Sequence, residues 1–121
     1  MSKTEALKTE IKRLLKLSIS RVSFEKAPKE RKYPYAVFEL SELGKDYGKT
    51  TIQLEINVVD YGPDTSTVDT ISDDIQNDLH GYSFISNEIQ FTSFSGNRQT
   101  IPEEDKEINR RRMLFEIQLH E

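Results

Sequence analysis

Apolar and polar residues alternate one by one in three stretches of this 121-residue chain. The longest reads TTIQLEINVVDY (residues 50–61), and its period of two predicts a strand with one buried and one solvated face. The same alternation marks YAVFELS (residues 35–41) and RRMLFEIQL (residues 111–119). The side chains predicted to lie on the buried faces are Ile52, Leu54, Ile56, Val58, Ala36, Phe38, Leu40, Met113, Phe115, Ile117 and Leu119.

Two other stretches carry apolar residues three or four positions apart, which is the spacing of an amphipathic helix. Residues 3–18 form the first, and Ser2 and Glu5 have the spacing of an N-terminal capping box. The second lies before Gly81, a residue typical of a helix end. Its apolar side chains fall within an arc of about 80° on a helical wheel. Outside that arc lie four carboxylates, namely Asp69, Asp73, Asp74 and Asp78.

The remaining segments complete the predicted fold. Val22 and Phe24 lie in a short stretch that suits an edge strand, and residues 82–96 predict one or two strands with a bend near Ser86. Residues 41–50 are polar and contain two glycines, so we interpret them as the long exposed tip of a hairpin. The chain is therefore predicted to be a single α+β domain over residues 1–121. Its sheet is expected to be mainly antiparallel with four to five strands, and two helices are expected to pack on one face.

The bulk composition narrows the function. The net charge is -4, whereas a dedicated nucleic-acid-binding protein usually has a basic excess. The chain has no cysteine, which excludes disulfides and cysteine-ligated zinc. The sequence shows neither a signal peptide nor an apolar run of about 18 residues. We therefore expect a soluble protein that acts on the cytoplasmic side of a membrane and does not bind one.

No stretch of the sequence matches a catalytic or cofactor-binding motif. The GKT at Gly48 ends like a phosphate-binding loop, but Leu43 stands where that loop needs its first glycine. His80 and Asp78 are a weak hint of a metal pair, and a histidine at a helix end is the simpler interpretation. The nucleophile elbow and the calcium loop are missing as well. The expectation is a protein that is not an enzyme and has no cofactor or metal.

The run Arg110–Arg112 is the strongest basic feature. On a strand, Arg110 and Arg112 point to one side and Arg111 to the other, so the three cannot form one continuous patch. Carboxylates close in sequence, from Glu103 to Glu116, could pair with them. Arginine also suits bidentate pairing with a carboxylate across an interface. A structural or interface role is therefore favoured. The alternative is a small protein-binding or nucleic-acid-binding module that uses these arginines.

The order of these elements resembles the tail-completion proteins of long-tailed phages and prophages, also called tail-terminator or head–tail joining proteins. The matching stretches are Pro34–Phe38, Ile56–Tyr61, Val68–Leu79 and Ile101–Leu119. RKYPYAVFEL is similar to the early strand of that family, and NVVDYGPDTSTVDTISDDI resembles its link into a helix that packs back on the sheet.

This resemblance implies a structural role in virion assembly. Members sit at the head-proximal end of the tail tube, stop its polymerisation and join it to the head connector. They assemble as a ring, usually a hexamer, around the channel that DNA crosses, and DNA is not bound specifically. The implied partners are other copies of the chain, the tail tube protein and the head connector protein. The implied location is the tail or neck of a virion that is assembled in the host cytoplasm.

Exposure and charge alone suggest which residues would serve such a ring. A ring needs a heterologous contact, in which one patch meets a different patch on the next copy. The oppositely charged segments 42–49 and 103–112 are candidates for these patches. The candidate oligomer or partner interface residues are Glu42, Lys45, Asp46, Lys49, Arg110 and Arg112. The acidic helix face would line the channel and repel DNA, with Asp69, Asp73, Asp74 and Asp78 as the candidate residues.

Overall fold

The computed structural model describes residues 2–27, 29 and 32–120, and the core within them is continuous. The helices are α1 (Lys3–Leu15) and α2 (Ser66–Leu79). The strands are β1 (Val22–Phe24), β2 (Tyr35–Asp46), β3 (Lys49–Tyr61), β4 (Tyr82–Ile85), β5 (Gln90–Ile101) and β6 (Ile108–His120).

The strands form one six-stranded sheet in the order β1-β2-β3-β6-β5-β4, and β1 runs parallel to β2. The sheet is therefore mixed, and it curls into a half-barrel. The prediction of four to five mainly antiparallel strands is wrong. Alternation marks where a strand lies but carries no information on its direction, and β1 has only three residues. Residues 82–101 form two strands because the side chain of Ser86 accepts the N–H groups of Glu88 and Ile89 and closes a tight turn.

The segment predicted as a long hairpin tip is strand almost to its end. β2 and β3 pair as far as Asp46 and Lys49, which leaves a turn of only Tyr47 and Gly48. Gly48 has φ +73°, a left-handed conformation that glycine adopts without steric cost. A bulge between Glu42 and Gly44 shifts the register. Residues 41–49 are exposed, which accounts for the polar character of this part of the hairpin.

Both helices cover the same face of the sheet. The alternating side chains of β3 and β6 meet the apolar stripes of α1 and α2 in one core, as their spacing predicts. Fully burying each large aliphatic side chain stabilises the fold by about 1.5–3 kcal/mol. Residues with essentially no exposure include Leu7, Ile11, Leu54, Ile56, Val58, Val68 and Ile117.

A buried carboxylate fixes α1 to the far edge of the sheet. The Arg13 guanidinium donates to both oxygens of Glu10, at 2.8 and 2.7 Å, and the Tyr82 hydroxyl donates to the same carboxylate at 2.7 Å. These donors, above all Arg13, hold the pKa of Glu10 below its usual value in spite of its burial. Because Tyr82 begins β4, the outermost strand, these hydrogen bonds fix the C-terminal part of α1 against that edge of the sheet.

Gly96 provides a test of the packing between β5 and β6. A Cβ added there would lie 3.0 Å from the backbone oxygen of Leu114 in the centre of the sheet. We expect Gly96→Ala to lower the free energy of unfolding by about 1 kcal/mol, because a central strand cannot easily shift. Gly44→Ala is the matched control, since nothing lies within 4 Å of its added Cβ. Equal stabilities of the two variants in urea titrations would contradict this account.

Candidate functional site

The arginines of β6 lie on both faces of the sheet, as alternation predicts. Arg111 pairs in register with Val58 and lies on the helix-bearing face, where it is buried. Arg110 and Arg112 lie on the opposite face, which neither α1 nor α2 covers, and each is about one third exposed. The run therefore has two unrelated surroundings.

On the helix-bearing face, Arg111 belongs to a cluster that connects α2 to the sheet. Its Nε donates to Oδ1 of Asp69 at 2.8 Å, and Arg98 of β5 reaches the same oxygen at 3.4 Å. Arg98 also donates to the carboxylate of Asp73. The hydrogen bond from Arg111 is the main reason that the pKa of Asp69 is lowered. Two of the four candidate channel residues are thus paired with arginines, although the side chain of Asp73 remains 65% exposed.

The other two acidic candidates form no ion pair with another described residue. Asp74 and Asp78 are both exposed. Asp78 accepts a hydrogen bond from the Ser18 hydroxyl at 3.3 Å, next to the end of α1. Arginines therefore balance the charge of two of the four carboxylates, Asp69 and Asp73.

On the open face, each arginine pairs with a carboxylate. Nε and Nη2 of Arg112 lie 2.8 and 2.7 Å from Oε1 of Glu55, and Asn57 donates to the other oxygen of Glu55 at 3.0 Å. Nη1 of Arg110 lies 3.2 Å from Oε1 of Glu103. The pair of Arg110 with Glu103 is local in sequence, as predicted. The partner of Arg112 comes from β3.

The hairpin candidates Glu42, Lys45, Asp46 and Lys49 are all exposed. They lie on paired strands at the end of the sheet, where Lys49 is level with His120 of β6. β1 pairs with β2 only over Ala36–Phe38, so the outer edge of β2 has no strand beside it at these positions in the described part of the chain. Leu43 and Tyr47 are 60% and 100% exposed there.

The sequence did not reveal the roles of Arg98 and Glu55. Arg98 lies beyond residues 82–96, where the strand was predicted to end, because a register shift between Ser95 and Arg98 breaks the alternation of β5. Glu55 was assigned to the wet face of a strand, and only the pairing of β3 with β6 shows that it lies near Arg112. The role of Arg98 was missed because of a bulge, and that of Glu55 because the strand order was unknown.

The described residues contain no group of three histidine, aspartate or glutamate side chains placed to hold a metal ion. His80 is engaged in the fold, where its Nδ1 accepts the N–H of Ser95 at 3.1 Å. Within the same residues, neither helix is long and apolar enough to cross a membrane. The ion pairs of Asp69 and Glu55 connect separate elements of the fold.

Comparison with known proteins identifies a shared fold. No protein-family model and no curated protein matches this sequence. Among solved structures, a chain of the virion of native gene transfer agent (GTA) particle matches with a TM-score of 0.72 at 10% identity, over 92% of both chains. A second solved structure matches with a TM-score of 0.73 at 12% identity. That match covers 100% of this chain and 97% of the other. At these identities the likeness establishes the fold alone.

The cluster around Asp69 predicts a pH-dependent stability. A carboxylate whose folded pKa is lowered stabilises the fold above its unfolded pKa, and this stabilisation is lost as the pH falls through the folded pKa. We expect Asp69→Asn to reduce the free energy of unfolding by about 1 kcal/mol at pH 7, discounted for the partial exposure of Asp69. The deficit relative to the wild type should shrink as the pH falls below about 4, the ordinary range of an aspartate.

Asp74→Asn is the matched control, because Asp74 is exposed on the same helix and no ion pair joins it to another described residue. Chemical denaturation of the three proteins at pH 7 and at acidic pH gives the comparison. A deficit of Asp69→Asn that stays constant with pH would contradict the assignment.

Proposed function

We propose that this chain is a structural protein of a phage-like virion that forms a ring at the head-proximal end of the tail tube. In this role it stops polymerisation of the tube and joins the tail to the head connector. Its partners are other copies of itself, the tube protein and the connector protein. It is not an enzyme and uses no cofactor.

The likeness to the gene transfer agent virion chain carries the proposal, because it extends over nearly the full length of both chains. The order of elements in the sequence independently resembles tail-completion proteins. Fold alone does not determine function, so the agreement of two separate comparisons with a virion role is the support. The tail or neck position, the hexamer and the terminating activity come from the sequence resemblance.

The geometry favours this role over a nucleic-acid-binding module. Each guanidinium of Arg110–Arg112 already faces a carboxylate, from Glu103, Asp69 and Glu55. Binding to phosphates would have to break these pairs, and Arg111 is also buried. A net charge of -4 suits a ring that DNA crosses without being bound.

We also propose that α2 faces the channel of the ring. Any repulsion of DNA would then come mainly from Asp74 and Asp78, since Asp69 and Asp73 are paired with arginines. Glu42, Lys45, Asp46 and Lys49 remain the candidate interface on one side of the copy. Arg110 and Arg112 are the candidates on the open face.

Electron microscopy of particles from a phage or prophage that lacks this gene tests the role. We expect heads without attached tails, beside tubes of uncontrolled length, because nothing would end the tube or offer a surface to the connector. Supplying the gene from a plasmid should restore normal particles. Normal virions from the deletion strain would contradict the proposed function.

A further inference from the structure

β2 and β5, the strands next to the two outermost strands of the sheet, are paired with those outermost strands over only part of their length. β1 pairs with three residues of the twelve-residue β2, and β4 pairs with four residues of the twelve-residue β5. Segments 39–46 of β2 and 94–101 of β5 therefore have a strand on one side only, as far as the described residues show. Free strand edges are ready sites for pairing with another chain.

These two free edges lie at opposite corners of the sheet. Lys45 is in the same row as Leu119, Phe91 and Phe84, at the end where β4 covers β5. Thr100 is in the row at the other end, where β1 covers β2. Each copy thus offers one edge of each kind, which fits a head-to-tail contact between copies.

The backbone of β2 shows which groups point to its free edge. The N–H of Ala36 donates to Arg21 and the carbonyl of Phe38 accepts from Glu25, so these two residues face outward. Because direction alternates along a strand, Leu40 and Glu42 also face outward. Their side chains lie on the helix-bearing face, opposite Leu54 and Ile52.

The same reasoning applies to β5. Ser95 faces outward, since its N–H donates to His80 beyond that edge. Ser95 and Arg98 pair with Phe115 and Met113, which are two residues apart in β6, so Arg98 and then Thr100 face outward too. Their side chains also lie on the helix-bearing face, because Met113 belongs to the core.

We propose that copies of this chain join edge to edge, with β2 of one copy antiparallel to β5 of the next. Leu40 lies opposite Thr100 in this pairing, and Glu42 lies opposite Arg98. The register matches outward backbone groups with outward backbone groups and keeps the helices of all copies on one side. It also brings Glu42 next to Arg98, which pairs with Asp69 and Asp73 within its own copy. The proposed pairing ends at Pro102 on the β5 side, since proline has no N–H to donate. On the β2 side it ends where β1 already pairs with Ala36–Phe38.

The register is compatible with a closed ring. Within one copy Arg98 is level with Phe38, so pairing it with Glu42 of the next copy staggers adjacent copies by four residues, about 13 Å. Equivalent positions in adjacent copies are four strand spacings of about 4.8 Å apart around the ring. Combined with the stagger of about 13 Å, this distance inclines the strands by about 35° to the ring axis. Closed barrels have strand tilts of about this size. The inference rests on the proposed ring and adds which edges form it.

Engineered disulfides test the register directly, because the native chain has no cysteine. In an antiparallel pair, directly opposed residues have Cα atoms about 5.5 Å apart, within the range for a disulfide. Within one copy these edges are separated by β3 and β6, too far apart to be bridged. We expect Leu40→Cys with Thr100→Cys to give intermolecular ladders on a non-reducing gel, at about ten times the yield of a matched control. The control is Leu40→Cys with Gln99→Cys, whose second side chain points to the other face.

The mass of the unmodified protein, from light scattering, separates the possible failures. A ring that forms without cross-linking of the 40/100 pair, or with equal cross-linking of both pairs, overturns the edge pairing and leaves the proposed function standing. A protein that stays monomeric at high concentration contradicts the ring and therefore both proposals. If the cysteine variants do not fold, Glu42→Pro replaces them. It removes an outward N–H and should abolish the ring, whereas Glu42→Thr keeps that N–H and should preserve it.

Discussion

The antiparallel pairing of β3 with β6 is the constraint on which the rest of the structure depends. The two strands pair in register over 13 residues, from Lys49 with His120 to Tyr61 with Ile108. Because this pairing sets which side chains face the helices, it places Arg111 under α2 and leaves Arg110 and Arg112 on the open face. A slip of one residue would exchange these positions and expose the core face of β6.

Ion pairs and a hydrogen bond then connect the helices to the strands of the sheet. Asp69 of α2 reaches β6 through Arg111 and β5 through Arg98, while Glu10 joins α1 to β4 through Tyr82. These contacts are partly buried and connect elements far apart in sequence, so they specify how the helices sit on the sheet more than they add to its stability. Ion pairs also occupy the guanidinium groups of Arg110–Arg112, the strongest basic feature of the sequence and its main candidate for contact with DNA.

The sequence predicted the parts of this structure that depend on local periodicity. The alternation of β3 and β6, the apolar stripes of α1 and α2, and the opposite orientations of Arg111 and its neighbours all follow from spacing. The parallel direction of β1 does not, because three residues contain no directional signal. The partnership of Arg112 with Glu55 depends on strand order, and the ion pairs of Arg98 depend on a bulge that disrupts the pattern. The sequence therefore predicted which charged residues form the candidate site but not which carboxylate pairs with which arginine.

The central claim is that the uncovered edges of β2 and β5 build a ring for a virion. A cryo-electron microscopy map of the purified, self-associated protein tests it most directly. We expect a closed ring in which β2 of each copy lies beside β5 of the next at the spacing of neighbouring strands, about 4.8 Å, with the helices of all copies on one side. Rings joined through other surfaces, or only monomers in the images, would contradict it.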